Sequence, residues 1–317
     1  MLEPVITPLG IAVVHYRTPE VALDCLERLE AAAPSAQVVV VDTAPEPAFQ
    51  ARLADRFPAA RFLAAPNHSY SRSVNLGVAA LDTERVVLMN ADVLVEPDTF
   101  RKLESVLSSS GRAAVVAPLA LTAAGQPQAM GLPYAWQYRR LRRARERAEA
   151  QQATPGQPAA ASLAVPWLAG YLQLMPRSVW VEVGGYDESF RFFNEDIDFC
   201  LRARAAGFDC RLVDAPVIHL GGTSTPTHPA FHVEGRRGGM LLTRRHHGPA
   251  LRAAHTAFLW GEALLGRLLA RSDAGRAAHE MMLELLRSGS WHESPFGATL
   301  DERRSSVRGS VEPPSAP

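Results

Sequence analysis

The sequence predicts an α/β protein: a mostly parallel sheet flanked by helices, followed by a helical extension. Three observations predict it. Short β-branched runs alternate with stretches of helical periodicity from Ile11 to about Val213, as in βα repeats whose strands are covered on both faces. The polar residues Asp42, Asn90 and Asp92 stand where apolar runs end, at the carboxyl edge where open sheets of this kind bind ligands. From Thr223 onward the alternation gives way to helical spacing alone.

Residues 1–10 read as a tail. Ile11 to Val14 is an unbroken apolar run and a buried strand, Glu20 to Ala31 is apolar at helical spacing, and Val38 to Val41 is a second strand closed by Asp42. Arg61 to Ala64 gives a third strand, Tyr70 to Leu81 a helix, and Arg85 to Met89 a strand. Pro97 to Ser108 follows as a helix with an acidic first turn, then Ala113 to Ala117 as a strand.

Residues 125–164 break the pattern with a Gly-, Pro-, Gln- and Ala-rich stretch around Arg139, Arg140, Arg142, Arg143, Arg145 and Arg147. This flexible basic insertion is either a solvated charged helix or a mobile lid over a diphosphate or an anionic lipid headgroup. Order resumes over Val165 to Pro176, with helices at Arg177 to Val183 and Glu195 to Ala206. Gly207 serves as C-cap before a strand at Cys210 to Val213. Residues 11–222 are thus expected to form one α/β domain, with 11–124 before the basic insertion and 165–222 after it. Residues 223–287 form a helical extension, helical over about 233–246 and 251–287, and 288–317 a disordered tail.

Composition narrows the function. With 33 basic against 33 acidic side chains in 317 residues, no global field favours nucleic acid, and an anionic partner must be met by a local patch. Cys25, Cys200 and Cys210 have neither the count nor the spacing of a disulfide framework or zinc site, so they read as reduced packing thiols of a cytosolic protein. The N-terminus lacks the basic and apolar regions of a signal peptide. The most apolar later stretch, Ala253 to Ala270, is interrupted by Glu262 and Arg267 and too short to span a bilayer.

Three segments could carry chemistry. Asn90-Ala91-Asp92 follows a strand and offers a carboxylate to a hard divalent cation that is otherwise held by ligand phosphates, or else simply caps a turn. Phe192-Phe193-Asn194-Glu195-Asp196-Ile197-Asp198 sets three acids behind an aromatic pair at a helix start. Those acids either favour the helix dipole or include a general base beside an acceptor hydroxyl. His219 precedes Gly221-Gly222, where backbone can approach a ligand closely, although a single histidine is also an ordinary structural residue.

The ordered set Val13-Val14-His15-Tyr16-Arg17, Val41-Asp42-Thr43, Asn67, Asn75-Leu76-Gly77, Met89-Asn90-Ala91-Asp92-Val93, Gly184-Gly185-Tyr186-Asp187-Glu188, Phe193-Asn194-Glu195-Asp196-Ile197-Asp198-Phe199 and His219 resembles the family 2 glycosyltransferases, especially their rhamnosyltransferase branch. The resemblance spans about Ile11 to His247. It implies a GT-A fold, Rossmann-like, and an inverting transfer of a sugar from a nucleotide-diphosphate donor, dTDP-rhamnose or a UDP-sugar. The acceptor would be a carbohydrate or polyprenyl-linked glycan in bacterial cell-surface polysaccharide synthesis, with Mg2+ or Mn2+ as cofactor.

By position, Asp42 would contact the base or ribose, and Tyr16, Arg17, Asn67, Asn75 and Asn90 would lie on the donor side. Asp92 and His219 would hold the metal, Asp196 would be the base, and Glu195 would shape the acceptor site. The alternative is a catalytically silent module of this fold that binds a carbohydrate or a partner, an idea prompted by Asn90 in the first acidic position. The C-terminal basic run, Arg236, Arg237, Arg244, Arg245, His246 and His247, ahead of Phe258, Leu259 and Trp260, suggests peripheral contact with the inner face of a membrane.

Overall fold

The computed structural model describes residues 8–109, 113–128, 143, 161–221 and 228–302. The arginine-rich insertion expected over 125–164 lies almost wholly outside the described residues. The chain divides into two compact units: Met1–Ala65 with Ser73–Tyr186 and Asp196–Thr225, and Pro66–Arg72 with Asp187–Glu195 and Pro226–Pro317.

Among the described residues the first unit carries nine strands, β1 (Leu9–His15), β2 (Gln37–Asp42), β3 (Arg61–Ala64), β4 (Arg85–Asn90), β5 (Val93–Leu94), β6 (Ala113–Leu121), β7 (Ser162–Ala164), β8 (Leu172–Pro176) and β9 (Asp209–His219). Around them lie α1 (Pro19–Ala32), α2 (Pro47–Arg56), α3 (Tyr70–Ala79), α4 (Thr99–Ser109), α5 (Arg177–Val183) and α6 (Glu195–Ala205). The sheet order is β3-β2-β1-β4-β8-β6-β9-β5, with β7 paired to β9.

Ile11, Ala12 and Val13 are buried because β1 is flanked by β2 and β4, with helices packed on the sheet. Proline in the first turns of α1 and α2 starts both helices, where a missing N–H costs nothing. Gly77 lets α3 approach the sheet, since a Cβ there would lie 2.7 Å from the Ala12 Cβ.

The sheet is less parallel than the alternation suggests. Pairs β1/β2, β1/β4, β2/β3 and β6/β9 are parallel, but β4/β8, β6/β8, β5/β9 and β7/β9 are antiparallel. The reason is that β8 enters between β4 and β6 from a distant part of the chain, so no βα repeat fixes its direction. The last strand runs eleven residues, Asp209 to His219, and absorbs what reads locally as two short apolar runs. The first turn of α4 holds no acid, because the helix starts at Thr99, after Glu96 and Asp98.

The second unit contains α7 (Pro229–His246), α8 (Pro249–Leu269) and α9 (Asp273–Ser288). The predicted continuous helix over 251–287 is divided at residues 270–272, where Ser272 caps α9 by accepting from the Gly275 N–H. Val233, Met240, Leu259, Ala263, Met282 and Leu286 form its core together with Trp291. A disordered tail from Ser288 is not what the structure shows as far as residue 302: Trp291, Phe296 and Leu300 are buried, and apolar burial offsets the entropy of ordering this polar-looking segment.

The basic run of α7 is exposed only in part, with Arg244, Arg245 and His247 at the surface. Arg237 is fully buried, bonded to Glu234 and to the carbonyls of Trp291 and Ser189. Arg236 is engaged by Glu262 and Arg245 by Asp187. None of the helices among the described residues is long and apolar enough to cross a membrane. The three cysteines are buried free thiols, as their spacing predicts.

Candidate active site

The parallel register places His15 opposite Asp42 and Val14 opposite Asn90. The carboxyl ends of β2, β1 and β4 therefore present Asp42, His15 and Asn90 on one rim. Here β1 connects onward to β2 on one side while β4 lies on its other side, the switch point at which open α/β sheets form their ligand crevice.

Asp42 and His15 are both buried, with His15 Nδ1 3.1 Å from Asp42 Oδ1. The Thr18 N–H donates to His15 Nε2 (3.0 Å), so Nε2 carries the lone pair and the ring hydrogen is on Nδ1, facing the carboxylate. The Nδ1–H is not aligned as a hydrogen bond, and Asp42 Oδ2 also lacks a protein partner. Buried polar atoms left in this state mark a place for a ligand. The Ala44 N–H fixes Oδ1 (3.0 Å), leaving Oδ2 as the oxygen a ligand would meet. No sequence signal gave His15 a role of its own; its position at the end of β1 becomes informative only through the register.

Beyond β4 the chain turns and β5 pairs with the end of β9, setting Val93 opposite His219. Asp92 Oδ1 then lies 3.3 Å from His219 Nε2, while Asp92 Oδ2 accepts the Gly221 N–H (3.1 Å). Gly221 has φ 57°, a left-handed conformation that glycine adopts without strain. Gln128 Nε2 donates to the His219 carbonyl (3.4 Å), which orients the amide so that Oε1 accepts from His219 Nδ1 (2.6 Å). Nε2 is the ring nitrogen turned to a carboxylate oxygen, so a cation placed between them could be bound by both.

Asp92 and His219 thus fit a divalent metal held by few protein ligands and completed by phosphate oxygens. Among the described residues no cluster of three or more His, Cys, Asp or Glu is placed to hold a metal ion.

Asp196 lies in the first turn of α6. Its Oδ2 accepts the Gly170 N–H and its Oδ1 the Ile197 N–H, both at 2.8 Å. Burial pushes this carboxyl above the ordinary aspartate range, although these N–H groups pull the other way. A Cβ at Gly170 would stand 3.2 Å from both the Asp196 Cβ and the Tyr186 hydroxyl, so a side chain there would have to push these groups by a few tenths of an ångström.

The next residue, Tyr171, accepts the Asn90 N–H at its carbonyl (2.9 Å) and stacks its ring on His219 (5.3 Å). Segment 170–171 therefore ties the candidate base, the end of β4 and the candidate metal ligands into one cluster. Gln128, Gly170 and Tyr171 are the residues of this cluster that motif reading misses.

Asp198, a third acid in the same motif, has a different task. It is fully buried and bound by Arg202 Nε (2.7 Å), whose other nitrogens donate to the carbonyls of Val183 and Gly185. Both amide atoms of Asn75 engage the backbone of Tyr186, which fixes the Gly184-Gly185-Tyr186 corner. Tyr16 stacks under the Arg17 guanidinium at 5.0 Å, and Arg17 has φ 53°.

In the second unit, Asn67 donates to Asp301 (3.2 Å) and Glu195 is buried. Phe193 and Asn194 there take φ 70° and 71°. Two successive left-handed non-glycine residues are strained backbone of the kind that gathers at functional sites.

Residues 7–241 match the family described as glycosyltransferase like family 2. The chain belongs to that family. This family 2 chain is 31% identical over 116 residues to the N-acetylglucosaminyl-diphospho-decaprenol L-rhamnosyltransferase of Mycobacterium tuberculosis, covering 36% of the chain and 38% of that protein. It is 27% identical over 157 residues to the low-salt glycan biosynthesis hexosyltransferase Agl10 of Haloferax volcanii, covering 47% and 48%. The matches thus span less than half the length of either relative.

Among solved structures, the mannosyltransferase PcManGT of Pyrobaculum calidifontis, in complex with GDP-Man and Mn2+, superposes with a TM-score of 0.54 at 16% identity, over 90% of this chain and 87% of that one. S. aureus TarS gives 0.53 at 11% identity, over 89% and 49%. At these identities the likeness concerns the fold, which is GT-A.

Proposed function

We propose that this family 2 chain is an inverting glycosyltransferase that moves a sugar from a nucleotide-diphosphate donor to a carbohydrate or polyprenyl-linked acceptor in glycan synthesis. The observation that carries the reading is Asp196, raised in proton affinity and tied through Gly170 and Tyr171 to Asn90 and His219. A general base works best when its pKa is lifted toward the working pH.

In this reading Asp42 Oδ2 accepts a hydrogen bond from the base or ribose of the donor, and His15 holds the carboxylate in place. Tyr16, Arg17 and Asn90 line the donor side. Asp196 takes the proton from the acceptor hydroxyl as its oxygen forms the new bond to the anomeric carbon. The bond from that carbon to the phosphate oxygen breaks on the opposite face, and the nucleoside diphosphate leaves. Asp92 and His219 would hold Mg2+ or Mn2+, which neutralises charge developing on the leaving diphosphate.

The mycobacterial relative's name favours dTDP-rhamnose as the first donor to test and a diphospho-polyprenol glycan as acceptor, with a UDP-sugar as the next donor. A lipid-linked acceptor would place the chain at the cytoplasmic face of a membrane. The test is a screen of nucleotide sugars for metal-dependent turnover, repeated with Asp196→Asn. Wild-type rates in that variant with a proven donor would sink the assignment. Absence of calorimetric binding of both UDP and dTDP in the presence of Mn2+ would leave the silent binding module as the reading.

A further inference from the structure

Helix α8 is apolar on two opposite sides. Leu259 and Ala263 are buried in the core shared with α7 and α9. On the other side Leu251, Phe258, Leu264, Leu265, Leu268 and Leu269 are 47–80% exposed. At about 100° per residue these side chains share one outward arc, and alanine or glycine fills the positions between them. A helix facing water normally carries its charges there. A contiguous apolar surface of this kind marks an interaction site.

The surrounding charge indicates what kind of partner. Between residues 244 and 276 stand Arg244, Arg245, Arg252, Arg267, Arg271 and Arg276, against only Glu262 and Asp273, on a chain of zero net charge; of these arginines Arg245 is held by Asp187 and Arg267 by Glu280. Arg252, Arg271 and Arg276 are exposed, and Glu262 is already engaged by Arg236. Pairing α8 with its counterpart in a second copy, in either direction, sets arginine near arginine with no carboxylate on the apolar arc to answer. Lipid phosphates do answer it.

We propose that the outward face of α8 docks on a bilayer bearing anionic headgroups, with the helix lying in the plane of the interface. Its leucines and Phe258 enter the acyl boundary while the arginines at both ends meet the phosphates. The basic run once expected to make this contact is largely committed inside the second unit, and the apolar arc takes its place. The proposal deepens the reading of a lipid-linked acceptor, but its test needs no sugar transfer.

The full chain is floated with neutral phosphatidylcholine vesicles and with vesicles containing phosphatidylglycerol. It should partition to the anionic vesicles, and more weakly as salt rises. Phe258→Asp combined with Leu265→Asp and Leu268→Asp should lower partitioning by at least about tenfold, since three charges enter the acyl boundary. Arg252→Gln and Arg271→Gln should each lower it roughly fivefold. All these sites are exposed, so melting temperature and donor hydrolysis should stay as in the wild type.

Wild-type protein remaining with the soluble fraction for both vesicle types would overturn the proposal, as would undiminished flotation of the triple variant. A wild-type dimer that fails to float and that the triple variant converts to monomer would assign the face to a second copy instead. Donor hydrolysis, measured separately, reports on the catalytic reading alone.

Discussion

Asp92 Oδ1 and His219 Nε2 face each other at 3.3 Å, while Gln128 Oε1 accepts the hydrogen of the far ring nitrogen. In the reading above this pair would hold a cation, and Gln128, which touches neither donor nor acceptor, would orient the histidine.

Gln128→Leu should therefore weaken Mn2+ binding roughly 10–100-fold, the usual effect of removing an outer partner of a metal-bound histidine. Calorimetry with Mn2+ in the presence of a nucleoside diphosphate measures it. Unchanged affinity would show that the Gln128–His219 contact does not tune the site.

The lifted pKa of Asp196 has two consequences of known sign. The ionised carboxylate is the active form of a base, so the acid limb of the kcat/KM profile should lie above the ordinary aspartate range. A carboxyl whose folded pKa exceeds its unfolded value contributes stability below the unfolded pKa and loses it as pH rises through the folded one. Asp196→Asn should thus lower transfer by about 100-fold or more without lowering the melting temperature at neutral pH. A variant that melts early would point to a structural role.

His15 touches Asp42 rather than the reacting atoms, so its loss should appear in donor binding. Replacing the polar neighbour of a buried carboxylate by an apolar side chain costs about 1–3 kcal/mol, so His15→Leu should raise donor KM by at least fivefold with kcat nearly unchanged. His15→Asn should recover part of the loss. A fall in kcat at constant KM would contradict this assignment.

Arg237 and Glu234 form a buried ion pair in the second unit, with Ser294 donating to Glu234 and Arg237 reaching the carbonyls of Trp291 and Ser189. Breaking such a pair leaves an uncompensated buried charge, so Arg237→Met should destabilise by about 3–5 kcal/mol in denaturant unfolding. Arg237→Met with Glu234→Leu should be milder than the single change, because no charge remains buried.

Much of the first unit was legible in the sequence. The runs Ile11–Val14 and Val38–Val41 announce buried strands, and they end at His15 and Asp42 because the crevice begins there. Residues that act alone at a strand end, such as Asp42 and Asp92, could be found by position and residue type. Local pattern could not distinguish the roles of Asp196 and Asp198, which stand two residues apart in one motif. Only the structure shows Asp198 bound by Arg202 and Asp196 meeting the Gly170 N–H.

The sequence by itself determined the α/β class, strands at 11–14, 38–41, 61–64 and 85–89 with helices near 20–31, 70–81 and 97–108, and the acids at the strand ends, because hydrophobic periodicity and strand termini are local properties. The tertiary structure decided what depends on partners distant in the chain. It set β8 antiparallel between β4 and β6, brought His219 and Gln128 to Asp92, and buried Arg237 while leaving the leucines of α8 exposed. Strand direction, metal-ligand pairing and the burial of a charge are fixed by contacts across the fold, and local periodicity carries no record of those contacts.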